Sequence, residues 1–304
     1  MGNTSQLGKM FSSAQAADSA IGMASFSPDP TSFRITYTGK NFEFLRGLAL
    51  KVAGISLADH KRSMVFRRLV RLVAGKGFES FDQYCDYLSS PEGEVEVQQF
   101  VNALTTNKTD FFREIHHFEH FEAYLKRQPA ALASRRLRIW SAGCSSGQEP
   151  YSIAMSLLEH LPNIRNSDVR ILATDIDTDI LAKAERGIFQ HGDLEGLPKG
   201  YLAKYSDTLT GNLESRKVTG AVRDLVTFRK LNLHSDWPMR GPFDVIFCRN
   251  VVIYFDKQAQ RVLFDRFANL LSDGGILYIG HSESLFRVTE RFRSDGQSAY
   301  RKIS

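Results

Sequence analysis

The chain has 304 residues, of which 42% are hydrophobic and 24% charged; the length suits two domains, and the composition suits an ordinary soluble protein with a sizeable core. Its three cysteines, Cys85, Cys144 and Cys248, form no CxxC pair, which argues against a zinc ribbon or a disulfide framework and fits a reducing compartment. No apolar run approaches the ~20 residues of a membrane span. The net charge of +5 matters less than its location. Lys51, Lys61, Arg62, Arg67, Arg68, Arg71 and Lys76 stand against one acid, Asp59, so an acidic partner is expected at that segment.

Residues 1–33 are rich in Ser and Ala and lack the basic and apolar regions of a signal peptide; they read as the disordered tail of a cytoplasmic protein. An all-α domain is expected over 34–106. Leu45, Leu48 and Val52 recur at helical spacing, and Gly54 follows as a stop. A second helix is predicted over 61–74, ended by Gly75-Lys76-Gly77. Ser80-Phe81-Asp82-Gln83 has the capping-box form, with Phe81, Tyr84 and Leu88 on one face behind it. Pro91-Glu92-Gly93 is a turn, and Val97, Phe100, Val101 and Leu104 mark a fourth helix. Residues 107–135 read as a connecting segment whose helix carries Ile115, Phe118 and Leu125 and ends near Pro129. The domain boundary is placed between Pro129 and Arg136.

From 136 to 304 the rhythm changes to strand, loop, helix. Strands are predicted over 137–140, 169–173, 225–228, 243–247 and 276–279. Helices are predicted over 150–161, from Thr178 as N-cap to Gly187, and over 258–271. Such alternation implies a Rossmann-like α/β fold, with a parallel sheet and helices on both faces. Between 201 and 224 the rhythm lapses into short polar sequence, read as a small β insertion.

The chemistry concentrates at strand ends. Ser141 to Pro150 is a small-residue loop after the first strand, where open α/β sheets bind nucleotide-like ligands. Gly143 and Gly147 allow close backbone approach, and Pro150 suits a first helical turn. The spacing is neither the dinucleotide fingerprint nor a P-loop, and a tight strand-to-helix turn would need the same glycines. Asp175, 28 residues after Gly147, can accept hydrogen bonds from both ribose hydroxyls of an adenosine. It or Asp177 can equally cap the next helix, the reading preferred for Asp177. Asn232, after the third strand, can offer its amide to an adenine edge. Together these favour an adenosine ligand without pyrophosphate, of which S-adenosylmethionine is the commonest. After the fourth strand, Asn250 and Tyr254 are candidates to line a transfer site, while Val251, Val252 and Ile253 read as core. His116, His117 and His120 have ligand-like spacing, but the run lacks HExxH and a third-ligand signature, so no metal is assigned.

Residues 105–114, 147–155, 173–177, 248–255 and 280–283, taken in order with Ala58-Asp59-His60-Lys61-Arg62, resemble the CheR family of chemotaxis receptor protein-glutamate O-methyltransferases. The resemblance spans about 42–300. It implies an S-adenosylmethionine methyltransferase sheet behind an all-α N-terminal domain. The implied cofactor is S-adenosyl-L-methionine, with S-adenosyl-L-homocysteine as product. Asn107, Thr109, Arg113, Glu149, Asp175, Asn232, Leu233, Arg249 and Asn250 are then expected at the cofactor, with Glu149 meeting its ammonium group. Arg113 and Tyr254 are expected near the reacting methyl; on residues alone, Arg113 reads as a salt-bridging helix residue. The implied partner is the cytoplasmic helical region of chemotaxis receptors, bound by a monomer, without nucleic acid or membrane insertion.

Lys61, Arg67, Arg68 and Arg71 share one face of the second helix, opposite Phe66, Leu69, Val70 and Val73. That face suits docking to a Glu-lined helix, or plain solvation. Two other functions compete. A nucleic-acid methyltransferase would use the basic helix on phosphates, but the Asp/Asn-Pro-Pro-Tyr/Phe motif and a catalytic cysteine pair are missing. A non-catalytic S-adenosylmethionine sensor would have no use for both Arg113 and Tyr254.

Overall fold

The computed structural model describes residues 35–127, 136–161, 164, 167–209 and 211–304. The expected tail at 1–33 and the stretch holding the expected domain boundary lie outside the described residues.

Helix α1 (Gly39–Ala53) begins where the Thr38 hydroxyl accepts from the N–H of Asn41, whose side chain accepts from Thr38 N at 2.7 Å. It ends at Gly54, whose φ of 69° is left-handed. A Cβ there would lie 2.8 Å from the Phe255 ring and 2.9 Å from His234, so only glycine lets this helix end approach the sheet domain. After a short 3₁₀ turn come α2 (Arg62–Gly75), α3 (Phe81–Ser89) and α4 (Val97–Leu104). Ser80 caps α3 through Gln83 N, but the Gln83 side chain reaches Glu79 N instead of closing the box on Ser80. Phe42, Leu45, Val65, Leu69, Phe81, Tyr84 and Phe100 form the core of this helical part.

The basic face of α2 is not uniformly solvated. Lys61, Arg67 and Arg71 are exposed, but Arg68 turns inward. Its guanidinium donates to the carbonyls of Leu104 and Thr105, the latter at 2.7 Å, and to Thr106 Oγ1 at 2.6 Å. Free carbonyls at the C-terminus of α4 attract a cation through hydrogen bonding and the helix dipole. Arg68 is therefore a cap and a strap rather than part of a docking face.

Helix α5 (Ile115–Arg127) leads to a seven-stranded sheet. Its strands are β1 (Leu137–Ala142), β2 (Val169–Asp175), β6 (Val226–Lys230), β7 (Phe243–Cys248), β8 (Leu271–Ile279), β9 (Phe292–Gly296) and β10 (Ala299–Lys302). The order is β6-β2-β1-β7-β8-β10-β9; pairings from β6 to β8 are parallel, and β10 is antiparallel to both neighbours. The β9–β10 hairpin was not foreseen from sequence. Between the strands lie α6 (Gln148–His160), α7 (Thr178–Arg186) and α10 (Lys257–Leu270). Alternate side chains feed two cores. Ile139, Val245, Phe247 and Tyr278 pack with α5 and α6 on one face, while Trp140, Ile246 and Leu277 pack with Phe264 and Phe267 of α10 on the other. The insertion starts earlier than expected. Strand β3 (Ile188–Gln190) pairs with β5 (Asn212–Val218), which pairs with β4 (Ser206–Leu209); the short helices α8 (Tyr201–Tyr205) and α9 (Gly220–Arg223) flank that sheet. Among the described residues, no helix is long and apolar enough to cross a membrane.

Asp177, not Thr178, caps α7: its Oδ1 accepts from the N–H groups of Asp179 and Ile180. Its Oδ2 accepts from Thr105 Oγ1 and Asn107 Nδ2, both at 2.7 Å, which binds the end of α4 to the start of α7. Replacing Arg68 with Ala should lower the unfolding free energy by about 1–3 kcal/mol, because charged hydrogen bonds to carbonyls are lost. Arg67→Ala should stay within about 0.5 kcal/mol. Urea denaturation of both variants checks this, and equal stabilities would return Arg68 to the solvated face.

Candidate active site

Strand order reverses between β1 and β7, which opens a crevice at the carboxyl ends of the parallel strands. The loop after β1 shapes its floor. Gly143, at φ 91°, has no room for a side chain: a Cβ would sit 2.3 Å from Val251 Cγ2. The N–H groups of Gly143 and Cys144 both donate to Thr174 O, at 2.8 and 2.9 Å. Asp175, at the end of β2, accepts from Ser145 N at 2.8 Å and Asp177 N at 3.0 Å, one bond to each oxygen. Burial pushes its carboxyl up from the usual range, against the pull of those two N–H groups. Its remaining lone pairs face the crevice, where hydroxyl donors could use them.

Deeper in, Glu149 occupies the first turn of α6. Ser141 Oγ donates to it at 2.7 Å and Arg249 Nη1 at 3.1 Å. Burial raises the Glu149 carboxyl, opposed by Arg249 and Ser141. The same guanidinium lies 3.3 Å from Glu114 Oε2 and donates to the carbonyl of Arg113. His281 Nδ1 meets the other Glu114 oxygen at 2.7 Å. Burial works against the charge on Glu114, but the His281 hydrogen bond and Arg249 outweigh it and hold the group down to about 2. Two carboxylates thus share one guanidinium beside the crevice.

Asn107, Thr109, Arg113, Glu149, Asp175, Asn232, Leu233, Arg249, Asn250 and Tyr254 all line this one cleft. Several do so differently from expectation. The Asn232 amide donates to Val52 O at 2.7 Å, and its Oδ1 accepts from His234 N, so it ties α1 to the sheet instead of offering an adenine-reading edge. Asn107 likewise commits its amide to Asp177. Arg113 precedes α5 and donates to Lys108 O at 2.9 Å, so it braces its own loop rather than bridging along a helix. Of the trio read as core, Val252 is buried, Val251 lines the cleft, and Ile253 is 51% exposed. Lys61, Arg67, Arg68 and Arg71 are not among the lining residues, though Thr105 and Thr106, which Arg68 straps, are. His120 leaves the histidine trio to bond Tyr278 Oη at 2.8 Å. Glu114 stands near His116 and His117, but Arg249 faces its carboxylate, so the group reads as an ion-pair network. Sequence reasoning assigned no role to Ser141, Glu114, His281 or Glu283. Two acids in loops beside apolar runs were the available signal.

A crevice with this strand order, an acid ending β2 and a buried glutamate opening the helix after β1 fits one class: an S-adenosylmethionine-dependent methyltransferase. Sequence comparison narrows it. The model of "CheR methyltransferase, SAM binding domain" matches residues 107–301, and that of "CheR methyltransferase, all-alpha domain" matches residues 40–105. The chain is 41% identical to the chemotaxis protein methyltransferase of Escherichia coli K12 over 269 residues, 88% of this chain and 92% of that protein. It is 42% identical to chemotaxis protein methyltransferase 2 of Pseudomonas aeruginosa PAO1 over 266 residues, 87% of this chain and 93% of that one. The chain belongs to the CheR methyltransferase family.

The residues present fit the cofactor. Its ammonium group calls for a carboxylate, which Glu149 supplies at the cleft, its ribose for an acceptor, which Asp175 supplies, and Gly143 keeps the floor free of side chain. The same cluster makes stability depend on pH. Burial, reinforced by Arg249, holds His117 down at about 3. Its folded pKa lies below the ordinary 6.5, so its stabilising effect is complete above 6.5 and is lost as pH falls toward 3. From pH 7 to pH 5 this should remove about 2 kcal/mol. Glu114 contributes no loss there, since its carboxylate is released only below the ordinary 4.5. Denaturation of wild type and His117→Gln at both pH values tests this. The variant should lose about 2 kcal/mol less than wild type, and equal losses would exclude His117 as the source.

Proposed function

We propose that this protein transfers the methyl group of S-adenosylmethionine to glutamate side chains in the cytoplasmic helical region of chemotaxis receptors, forming glutamyl methyl esters. The observation that carries this is the meeting of Arg113 and Tyr254 at the cleft that Asp175 and Glu149 line. A cation and a phenol suit a carboxylate acceptor. The names of the two relatives point to the same chemotactic setting.

When bound, S-adenosylmethionine supplies an electrophilic methyl on sulfur. Asp175 would accept from its ribose hydroxyls, and Glu149 would hold its ammonium group. Asn107, Asn232 and Leu233 contribute walls, and their backbone edges remain for adenine. Thr109, Arg249 and Asn250 close the pocket around the reacting end. Arg113 holds the acceptor carboxylate by charge, and the Tyr254 hydroxyl aligns it. A glutamate is already ionised near pH 7, so its oxygen attacks without a general base, and the work is positioning. Lys61, just before α2, and Arg67 and Arg71 on it, all exposed, favour an acidic receptor helix by charge complementarity.

Labelled S-adenosylmethionine and receptor cytoplasmic fragments provide the direct test. Base-labile label in the receptor supports the ester, whereas base-stable label in protein or RNA would sink it. Asp175→Ala should weaken S-adenosylhomocysteine binding at least tenfold, about 1.4 kcal/mol, by calorimetry; unchanged affinity would leave Asp175 a loop brace. At saturating cofactor, Arg113→Ala should slow single-turnover transfer on the order of a hundredfold and Tyr254→Phe by less. Normal rates in both would remove these residues from the transfer step. Reversing charge at Lys61 and Arg67 together should impair receptor methylation, as high salt does to wild type, while cofactor affinity holds. A normal rate in that variant would mean that the face is simply solvated.

A further inference from the structure

Glu283 lies outside the cleft, yet it is only 8% exposed and its carboxylate gathers three backbone amides. Its Oε2 accepts from Gly280 N at 2.6 Å and Asn250 N at 3.0 Å, and its Oε1 accepts from Ile253 N at 3.2 Å. These amides belong to two separate segments. Gly280 follows β8, while Asn250 and Ile253 follow β7 and lead into the 3₁₀ turn Val252–Tyr254. The second segment is held from the other side by buried Val252 and by the Gln260 amide, which donates to the carbonyls of Val252 and Phe255. Its Ile253, however, is 51% exposed, and no side chain but Glu283 is seen to hold the N–H groups of Asn250 and Ile253 among the described residues. Asn250 also holds a left-handed φ of 58°, a conformation that asparagine tolerates better than most L-residues. The two segments touch closely, since a Cβ on Gly280 would lie 2.5 Å from Asn250 Nδ2 and 2.8 Å from its backbone nitrogen. From the far side, Ser56 of the helical part donates to Tyr254 O at 2.9 Å.

We propose that Glu283 is a positioning residue for methyl transfer, its carboxylate clamping Gly280, Asn250 and Ile253 so that the turn presents Asn250 and Tyr254 to the cleft. Three converging N–H groups in a buried place need an acceptor with several lone pairs, and an ionised carboxylate provides it. Burial pushes this carboxyl up, and the amides of Gly280, Asn250 and Ile253 pull the other way. A glutamine would offer one acceptor oxygen and turn N–H donors toward N–H donors. The role in catalysis rests on the reading of the cleft as the transfer site; the clamp itself does not.

The test uses the full chain with Glu283→Gln, Glu283→Asp, Tyr254→Phe and the Glu283→Gln/Tyr254→Phe pair. Hydrogen exchange needs no acceptor: in Glu283→Gln the amides of Gly280, Asn250 and Ile253 should exchange at least tenfold faster, with β1 and α10 unchanged. Single-turnover transfer to receptor fragments at saturating cofactor should fall on the order of ten- to a hundredfold. Glu283→Asp should recover part of both. If the clamp acts through Tyr254, the paired variant should lose less than the product of the two single losses, a coupling that general destabilisation would not produce. Unchanged exchange, loosened amides with a normal rate, or multiplicative losses would each overturn the proposal. Should Glu283→Gln fail to fold, Glu283→Asp is judged by the same criteria. If wild type methylates no receptor fragment, the receptor reading fails separately. Affinity for S-adenosylhomocysteine then decides the clamp: a several-fold weakening in Glu283→Gln supports it through Asn250, and unchanged affinity overturns it.

Discussion

The cleft depends on where one buried guanidinium sits. Arg249 leaves the end of β7 and meets Glu149 at the start of α6, Glu114 before α5 and the carbonyl of Arg113. Three stretches of chain distant in sequence are thereby fixed to one point. A buried cation is tolerable only because two carboxylates face it, and removing one partner of such an arrangement typically costs about 3–5 kcal/mol. The geometry has a second consequence. Arg249 and the two acids close one wall of the cleft, and the guanidinium that holds them there brings no uncompensated cation with it.

The strand ends and glycine positions were legible in the sequence because they follow from backbone constraints. Gly143 and Gly147 stand where φ must be positive, and Asp175 ends the second strand because the crevice opens at that edge. The parallel sheet showed in its apolar strands alternating with helical periodicity. What sequence could not show was how amides and guanidinium groups are shared. Asn232 and Asn107 lie at the cleft as expected, yet each spends its amide on the join between helical and sheet parts. Arg68 sits on the basic stripe by helical wheel, but it is near the edge of that stripe and the unsatisfied end of α4 draws it in. The β9–β10 hairpin escaped notice because its strands are short and polar, with little alternation to detect.

The helical part is more than an appendage for binding a partner. Ala53, Ile55, Leu104, Thr105 and Thr106 form one wall of the cleft, so the cofactor pocket is complete only when both parts are joined. Asp177 makes the join specific by capping α7 with one oxygen and taking Thr105 and Asn107 with the other. Arg68 fastens the same wall from α2, one turn from exposed Arg67 and Arg71. The helix that carries the exposed Arg67 and Arg71 therefore also steadies the cleft wall through its inner edge. Helix α2 thus reaches Thr105 and Thr106 through Arg68 as well as through its apolar packing on α4.

On the proposed reading, methyl transfer to a carboxylate demands little chemistry of the protein, and the architecture suits that demand. Phe112, Glu114, Ser145 and Asn250 all hold positive φ, and the segments that carry them border the cleft. Each such residue costs about 1–3 kcal/mol of backbone strain and persists only where surrounding bonds over-determine it. The bonds are on hand: Ser152 holds Phe112 N, Arg249 and His281 hold Glu114, Asp175 holds Ser145 N, and Glu283 holds Asn250 N. Buried polar groups in this protein thus serve mainly to keep improbable backbone in place. That is the form catalysis should take when nucleophile and leaving group are both already good, and the remaining barrier is one of bringing them into line.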